Sequence, residues 1–554
     1  MRRVIIAAMS DAAPLDVFTC PLDGIRLIEA SAGTGKTWSI CALYLRLLIE
    51  RELDIERVLV VTFTRAATAE LSARIRERIV DTLRVLDGGA CGADPFVPDL
   101  LAAAARAGQT PAALQARLRH ALQVFDEAAI FTIHGFCQRV LADTPFAAAL
   151  PYALELVEDD SALRREVAED FWRRRVAGAA LPALLARELG ARGDCPQRWA
   201  GVLQRYMARP CAQALWDAVP ADALERATVD LEEAWAALPA AAVDEAVAAL
   251  AAPAVKLHRS TYKPEAILAA ARQWRAWLAS GDPAAPLPPA RERKLQLLAA
   301  SMLAEKSTGG AAPPAHPFFA AAQTLLTARE ACEEAVHGAR QQLLRAFVGE
   351  AAADLRARKL SRRQIAFDDI LWNAREALSD GARPWLAADL HARYPVALID
   401  EFQDTDPLQL AIFSSIYQRP AARGTLFLVG DPKQAIYSFR SADLFTYLMA
   451  RERADARYTL AHNQRSAPAL IEACNHLFGA NPAVFMMTGL DYVQVGAGSR
   501  PRTPLVDDTE AGEGGAAPGD PGPPLRLWRI PRDETLATAG GEEGEQSDGG
   551  DGQA

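Results

Sequence analysis

The chain has 554 residues, 50% of them hydrophobic, a formal net charge of −10 and eight scattered cysteines. That length allows three or four domains, and without a CxxC pair or a Cys/His cluster at ligand spacing the cysteines read as reduced and mostly buried rather than as a metal or disulfide framework. No apolar run approaches the ~20 residues of a membrane span, and "MRRVIIAAMSDAAPL" is too short in apolar residues for a signal core, so a soluble cytoplasmic protein is expected.

The acidity is uneven. Residues 506–554 hold twelve acids against three arginines, a tail of −9 that leaves about −1 for the rest. Near-neutral folded parts can still present basic patches to phosphate, so nucleic acid is not excluded.

In chain order, "IRLIEA" (25–30) reads as a buried strand, followed by a glycine-spaced loop and the helical pattern "WSICALYLRLLIERE" (38–52). "RVLVVTFT" (57–64) is a second strand and "AATAELSARIRERIVDTLRVL" (66–86) a second helix, an alternation that predicts a parallel, doubly wound α/β sheet. From 151 to 345 the chain turns to Ala, Leu and Arg at helical spacing, broken by "ASGDPAAPLPPA" and "STGGAAPPAHP", which predicts an all-helical insertion. The α/β pattern returns at "PVALIDEF" (395–402) and "GTLFLVGD" (424–431). The expected domains are therefore 1–150 and 346–452 as two parts of one core, 151–345 as the insertion, 453–505 as the start of a second core, and 506–554 as an acidic Gly/Pro-rich tail, largely disordered.

The loop "ASAGTGKT" supplies Ala30, Ser31, Ala32, Gly33, Thr34, Gly35, Lys36 and Thr37. Its glycines let the backbone turn toward a phosphate, and the amides opening the next helix face the anion. Lys36 suits the β- and γ-phosphates of ATP and the Thr37 hydroxyl suits Mg²⁺. "VALIDEFQDTD" ends a strand in Asp400 and Glu401, fit respectively to hold Mg²⁺ through water and to polarise an attacking water. In "TFTR", Thr62 and Thr64 can donate to DNA phosphates, Phe63 can stack on a base and Arg65 adds charge. For Arg74, Arg76 and Arg78 on the following helix, a solvated face explains the residues as well as a DNA contact does. "TIHGF" offers Thr132 and His134 on a turn.

Six further stretches occur in order after the phosphate loop: "VVTFTRAATAELSARIRERI", "AIFTIHGFCQRVL", "FDDIL", "LIDEFQDTDPLQL", "FLVGDPKQAIYSFRSADLF" and "LAHNQRSAPALI". Together they resemble superfamily 1 DNA helicases of the UvrD type, and the wording "EASAGTGKT", "TIHGFCQRVL" and "DPKQAIYSFRSADLF" is similar to the RecB-type β subunits of exodeoxyribonuclease V. The resemblance covers roughly residues 20–475 outside the helical insertion. It implies a RecA-like P-loop core, a partial second RecA-like core, and an ATP-dependent 3′–5′ helicase acting on single-stranded and duplex DNA in double-strand-break repair and recombination.

By the same resemblance Gln434 senses the γ-phosphate, Arg465 reaches it from the second core, and Thr132 and His134 lie on the single-strand track. Tyr437, Phe439 and Arg440 face DNA, although core packing remains an alternative for Tyr437 and Phe439. RecC- and RecD-type subunits are the implied partners. Two departures stand out: Gln464 occupies the place of an adenine-stacking aromatic, and neither the rest of the second core nor a nuclease domain is recognisable, as if the motor part stood alone. A nucleotide- and DNA-binding fragment without autonomous helicase activity is the alternative.

Overall fold

The computed structural model describes residues 12–500 and Leu525, except 91, 93, 145–150, 152–153, 210–215, 217–218, 240–241, 290, 380, 382, 420–421, 437–442 and 482–483. The described residues form two compact units, one of those within 12–143 and 374–500 and one of those within 144–373.

The first unit is built on seven parallel strands: β1 (Ala13–Pro14), β2 (Ile25–Glu29), β3 (Val58–Thr62), β4 (Ile130–Thr132), β5 (Val396–Ile399), β6 (Thr425–Gly430) and β7 (Ala456–Thr459). Their spatial order is β1-β7-β2-β6-β5-β3-β4. Strands such as "VLVV" and "LFLV" are apolar on both faces because helices cover both, the condition under which a parallel sheet is stable. Helix α1 (Lys36–Glu50) is buried nearly all round from Ser39 to Ile49, which its unbroken apolar run requires.

Strand β7 changes the expected division of the chain. Residues 456–459 pair in parallel with β2, Ala456 opposite Arg26 and Thr459 opposite Glu29, so the first part of the segment expected to open a second core belongs to the first sheet. After it, only a two-stranded parallel ladder (His462–Asn463 with Gly496–Ala497) and one helix, Pro468–Gly479, represent the second core among the described residues.

The second unit is helical around a single 45-residue helix, Pro317–Ser361, about 68 Å long at 1.5 Å per residue. This helix runs through position 345, where the compositional boundary was placed. Phe171, Trp199, Trp274, Phe318 and Phe347 fill the unit's core at 1% exposure or less. One element departs from the all-helical expectation: Glu155–Val157 pairs in parallel with Gln364–Ala366. Three-residue strands carry too little alternation to stand out from a helical background. Among the described residues no helix is long and apolar enough to cross a membrane.

Candidate nucleotide and nucleic-acid site

Parallel strands deliver all their following loops to one edge, where open α/β sheets bind ligands. Read across that edge, the loops after β2, β6, β5, β3 and β4 are the phosphate-type loop, the Gly430–Gln434 turn, the Asp400–Asp404 turn, "TFTR" and "TIHGF". Residues separated by hundreds of positions are therefore neighbours.

The 30–35 loop turns on Gly33 (φ +77°) and Gly35 (φ +101°), both in the left-handed region that favours glycine. Space beside Gly35 is open, with nothing within 4 Å of a would-be Cβ. Thr34 closes the loop on itself, its hydroxyl donating to the Ser31 carbonyl at 2.7 Å. Ala30 is fully buried and its N–H donates to Gly430 O, anchoring the loop to β6. Ser31, Ala32, Gly33 and Lys36 remain at least partly accessible, and the half-buried Thr37 lies in the first turn of α1.

Lys36 crosses to the neighbouring turn: its Nζ lies 2.7 Å from Glu401 Oε2. Glu401 sits at φ +50°, an unfavourable conformation for a non-glycine residue that costs on the order of 1–3 kcal/mol and recurs at functional turns. Gln403 donates to the same Glu401 oxygen at 2.6 Å and with its own Oε1 accepts the Asp431 N–H at 2.9 Å. Asp431 also accepts from Gln434 Nε2 at 2.7 Å and pairs with Lys433 at 2.8 Å. Gln403 therefore joins the Glu401 and Gln434 turns, a role missed in the sequence although Gln403 lies two residues past Glu401 in the same motif.

Carboxylates outnumber cations between these turns. Burial, and then the charge of Glu401, push the Asp400 carboxyl up to about 6, and the same two causes raise Asp404 to about 6. The Asp404 Oδ1 atom is buried without a hydrogen-bond partner among the described residues. Such an acidic surplus fits a divalent cation. Among the described residues no group of three or more His, Cys, Asp or Glu could hold a metal ion by itself.

Arg465 approaches the loop from beyond β7. A Cβ on Gly33 would fall 2.8 Å from Arg465 Cβ and 2.9 Å from Asn463 Oδ1, so the segment "NQR" lies directly against the loop. Gln464 donates its N–H to Gly33 O at 2.7 Å, and Asn463 Nδ2 donates to Ala32 O at 3.1 Å. These contacts too escaped the sequence reading.

On the far side of the edge, Thr62 and Thr132 are cross-strand partners, which brings "TFTR" beside "TIHGF". Thr62 does not present a donor there. It is fully buried, its hydroxyl 2.5 Å from that of Thr68, because the last strand residue points into the first turn of helix α2 (Arg65–Leu86) rather than outward. Thr64 is the N-cap of that helix, accepting from Ala67 N at 3.1 Å, and Thr132 accepts from Gly135 N at 3.1 Å. Phe63 and His134 are half-buried and Arg65 is exposed. Arg78 is not a free basic residue: it pairs with Asp94 at 2.8 Å and lies over the Trp38 and Phe96 rings. Tyr437, Phe439 and Arg440 lie outside the described residues.

The comparisons with known proteins agree with this arrangement. Residues 13–455 match the family model of the UvrD/REP helicase N-terminal domain. Among curated relatives, RecBCD enzyme subunit RecB of Escherichia coli K12 is 36% identical over 512 residues, covering 88% of this chain and 40% of that protein. RecB of Haemophilus influenzae is 32% identical over 88% of this chain and 42% of its own length, and that of Mycobacterium tuberculosis H37Rv 30% identical over 81% and 29%. The chain thus spans about two fifths or less of the length of these relatives. With the family model matched over residues 13–455, the chain belongs to the UvrD/REP helicase family.

Proposed function

We propose that the chain is the ATP-driven motor part of a RecB-type β subunit, a 3′–5′ DNA translocase and helicase serving double-strand-break repair and recombination in the cytoplasm. The observation that carries the reading is the Lys36–Glu401 contact at 2.7 Å, which joins the phosphate loop to the acidic turn across the sheet edge. ATP phosphates displace Glu401 from Lys36, and the freed carboxylate takes a proton from the water that attacks the γ-phosphorus. The bond to the β–γ bridging oxygen breaks, and ADP and phosphate leave. Gln434, held by Asp431, reads the γ-phosphate, and Arg465 stabilises the charge that develops there. Thr37 and Asp400 would hold Mg²⁺, which when bound neutralises phosphate charge.

Single-stranded DNA would run over the other end of the edge, against Phe63, Thr64, Arg65 and the 132–134 turn. Tyr437, Phe439 and Arg440, which follow Gln434 after Ala435 and Ile436 in the sequence, are proposed to face the DNA. Duplex DNA and RecC- and RecD-type subunits complete the proposed set of partners. DNA-stimulated ATP hydrolysis by the full chain and by Lys36→Ala tests this reading; equal rates in both would end it.

A second reading is favoured by one feature. Between residues 460 and 500 only Asn463, Ile471 and Leu490 are buried among the described residues, whereas Leu477, Val493 and Met486 are 47%, 41% and 92% exposed. So little core argues for a nucleotide- and DNA-binding piece that needs further polypeptide to unwind DNA. Strand displacement by the isolated chain would exclude it.

A further inference from the structure

Asn463 is 8% exposed and uses both ends of its carboxamide. Its Nδ2 donates to the Ala32 carbonyl of the phosphate loop at 3.1 Å, while its Oδ1 accepts the backbone N–H groups of Arg465 at 2.8 Å and Ser466 at 2.9 Å. The next residue, Gln464, donates its N–H to the Gly33 carbonyl at 2.7 Å. Two consecutive loop carbonyls are thus held by two consecutive residues of the "NQRS" turn. The Asn463 carbonyl also accepts from Gly498 N at 2.8 Å, tying the turn to the strand that follows the second-core helix.

We propose that Asn463 is a positioning residue that couples the phosphate loop to the backbone carrying Arg465. A phosphate entering the 30–35 loop must be met by its amides, and any rotation of those peptides also moves the Ala32 and Gly33 carbonyls. Both carbonyls are bonded to the turn, so the displacement reaches Arg465 through one side chain and one adjacent amide. The coupling needs both halves of the carboxamide: Oδ1 alone would shape the turn, Nδ2 alone would grip the loop, and only their union in one rigid plane fixes one against the other. There is no room for a side chain at Gly33, where a Cβ would fall 2.8 Å from Arg465 Cβ. This inference rests on the nucleotide reading above.

Asn463→Ser separates the two functions without adding charge, since a serine hydroxyl still accepts within the turn but no longer reaches Ala32. In the full chain, Asn463→Ser should lower kcat for ATP hydrolysis roughly ten-fold by misplacing Arg465, with KM within about two-fold of wild type. The Asn463→Ser/Arg465→Ala double variant should then be no slower than Arg465→Ala alone. Wild-type kcat in Asn463→Ser, or losses that multiply in the double variant, would overturn the coupling.

A readout independent of turnover is amide hydrogen exchange with β,γ-imido-ATP. Wild type should show slowed exchange at residues 463–466 on binding, and Asn463→Ser should bind the analogue without that response. A response retained in Asn463→Ser, or missing in a wild-type chain that binds the analogue, overturns the coupling alone. A wild-type chain that does not bind the analogue overturns the nucleotide reading as well.

Discussion

Two groups of charged side chains in this molecule look alike in sequence and differ in what their surroundings permit. In the helical unit, Lys359 is 4% exposed between Asp160 at 2.5 Å and Asp369 at 2.8 Å, and Arg164 pairs with the same Asp160. Two cations meet two carboxylates, and Asp369 also accepts the Ala366 N–H. At the sheet edge, Lys36 faces Asp400, Glu401 and Asp404, and Glu401 is 34% exposed. The first group matches its buried charges one to one, with an exposed carboxylate, Asp159, 4.0 Å from Arg164. The second holds surplus negative charge on an open edge, with its lysine in a contact that an incoming anion can replace. The balanced group holds the helical unit together, and the surplus at the sheet edge supports the nucleotide reading proposed above.

The largest test of that contrast is Lys359→Ala, which leaves two carboxylates buried without their ammonium. It should cost about 3–5 kcal/mol, read as a lower urea midpoint for the helical unit, whereas ATP turnover by the folded fraction should be unchanged. Glu401→Gln should behave in the opposite way. It should reduce ATP hydrolysis by about 10²-fold or more, while the melting temperature holds or rises slightly because the charge surplus falls. A loss of folding in Glu401→Gln, or of turnover in Lys359→Ala, would erase the distinction.

A third test uses pH. Burial pushes the Asp194 carboxyl up, but hydrogen bonds from Arg340 (2.6 and 2.9 Å) and Trp199 (3.0 Å) outweigh it and hold the group below its ordinary value. A carboxyl depressed in the folded state stabilises fully above its unfolded pKa of about 3.9 and loses that contribution as pH falls through the folded value. Chemical unfolding of the helical unit should therefore steepen with acid below about pH 4, and Asp194→Asn should be less stable at pH 7 with a flatter acid limb. The smallest effect is expected at the sheet edge itself. Thr62→Val removes a buried hydroxyl contact worth about 1 kcal/mol, and single-stranded DNA affinity should stay at wild type. A clear loss of DNA binding would restore Thr62 to the strand track.

What the sequence disclosed follows from how local each signal is. The 30–37 loop was legible because strand, glycines, lysine and helix are consecutive, and Asp400-Glu401 because they end an apolar run. The contacts of Asn463 with Ala32 and of Gln403 with Asp431 join separate segments, and no spacing rule marks a partner. Thr62 misled for a related reason: a polar residue at a strand's end looks available, and only the position of Thr68 on the next helix reveals that its hydroxyl is occupied. Strand β7 lies in the segment expected to open a second core, and its membership of the first sheet depends on the register with Arg26 and Glu29, which alternation cannot specify.

The placement of β2 has a consequence for how the chain is made. Both of its sheet neighbours, β6 at 425–430 and β7 at 456–459, are translated after the whole of residues 144–373. The helical unit is contiguous and can condense on the ribosome as soon as it emerges, whereas the strand leading into the phosphate loop has no backbone partner until β6 is made at residues 425–430, and lacks its second until β7 at 456–459. During that interval "RLIEA", with Leu27 and Ile28 at its centre, is an unpaired strand. Nascent chains arrested before codon 425 should engage holding chaperones through this segment, and those arrested beyond 460 should not.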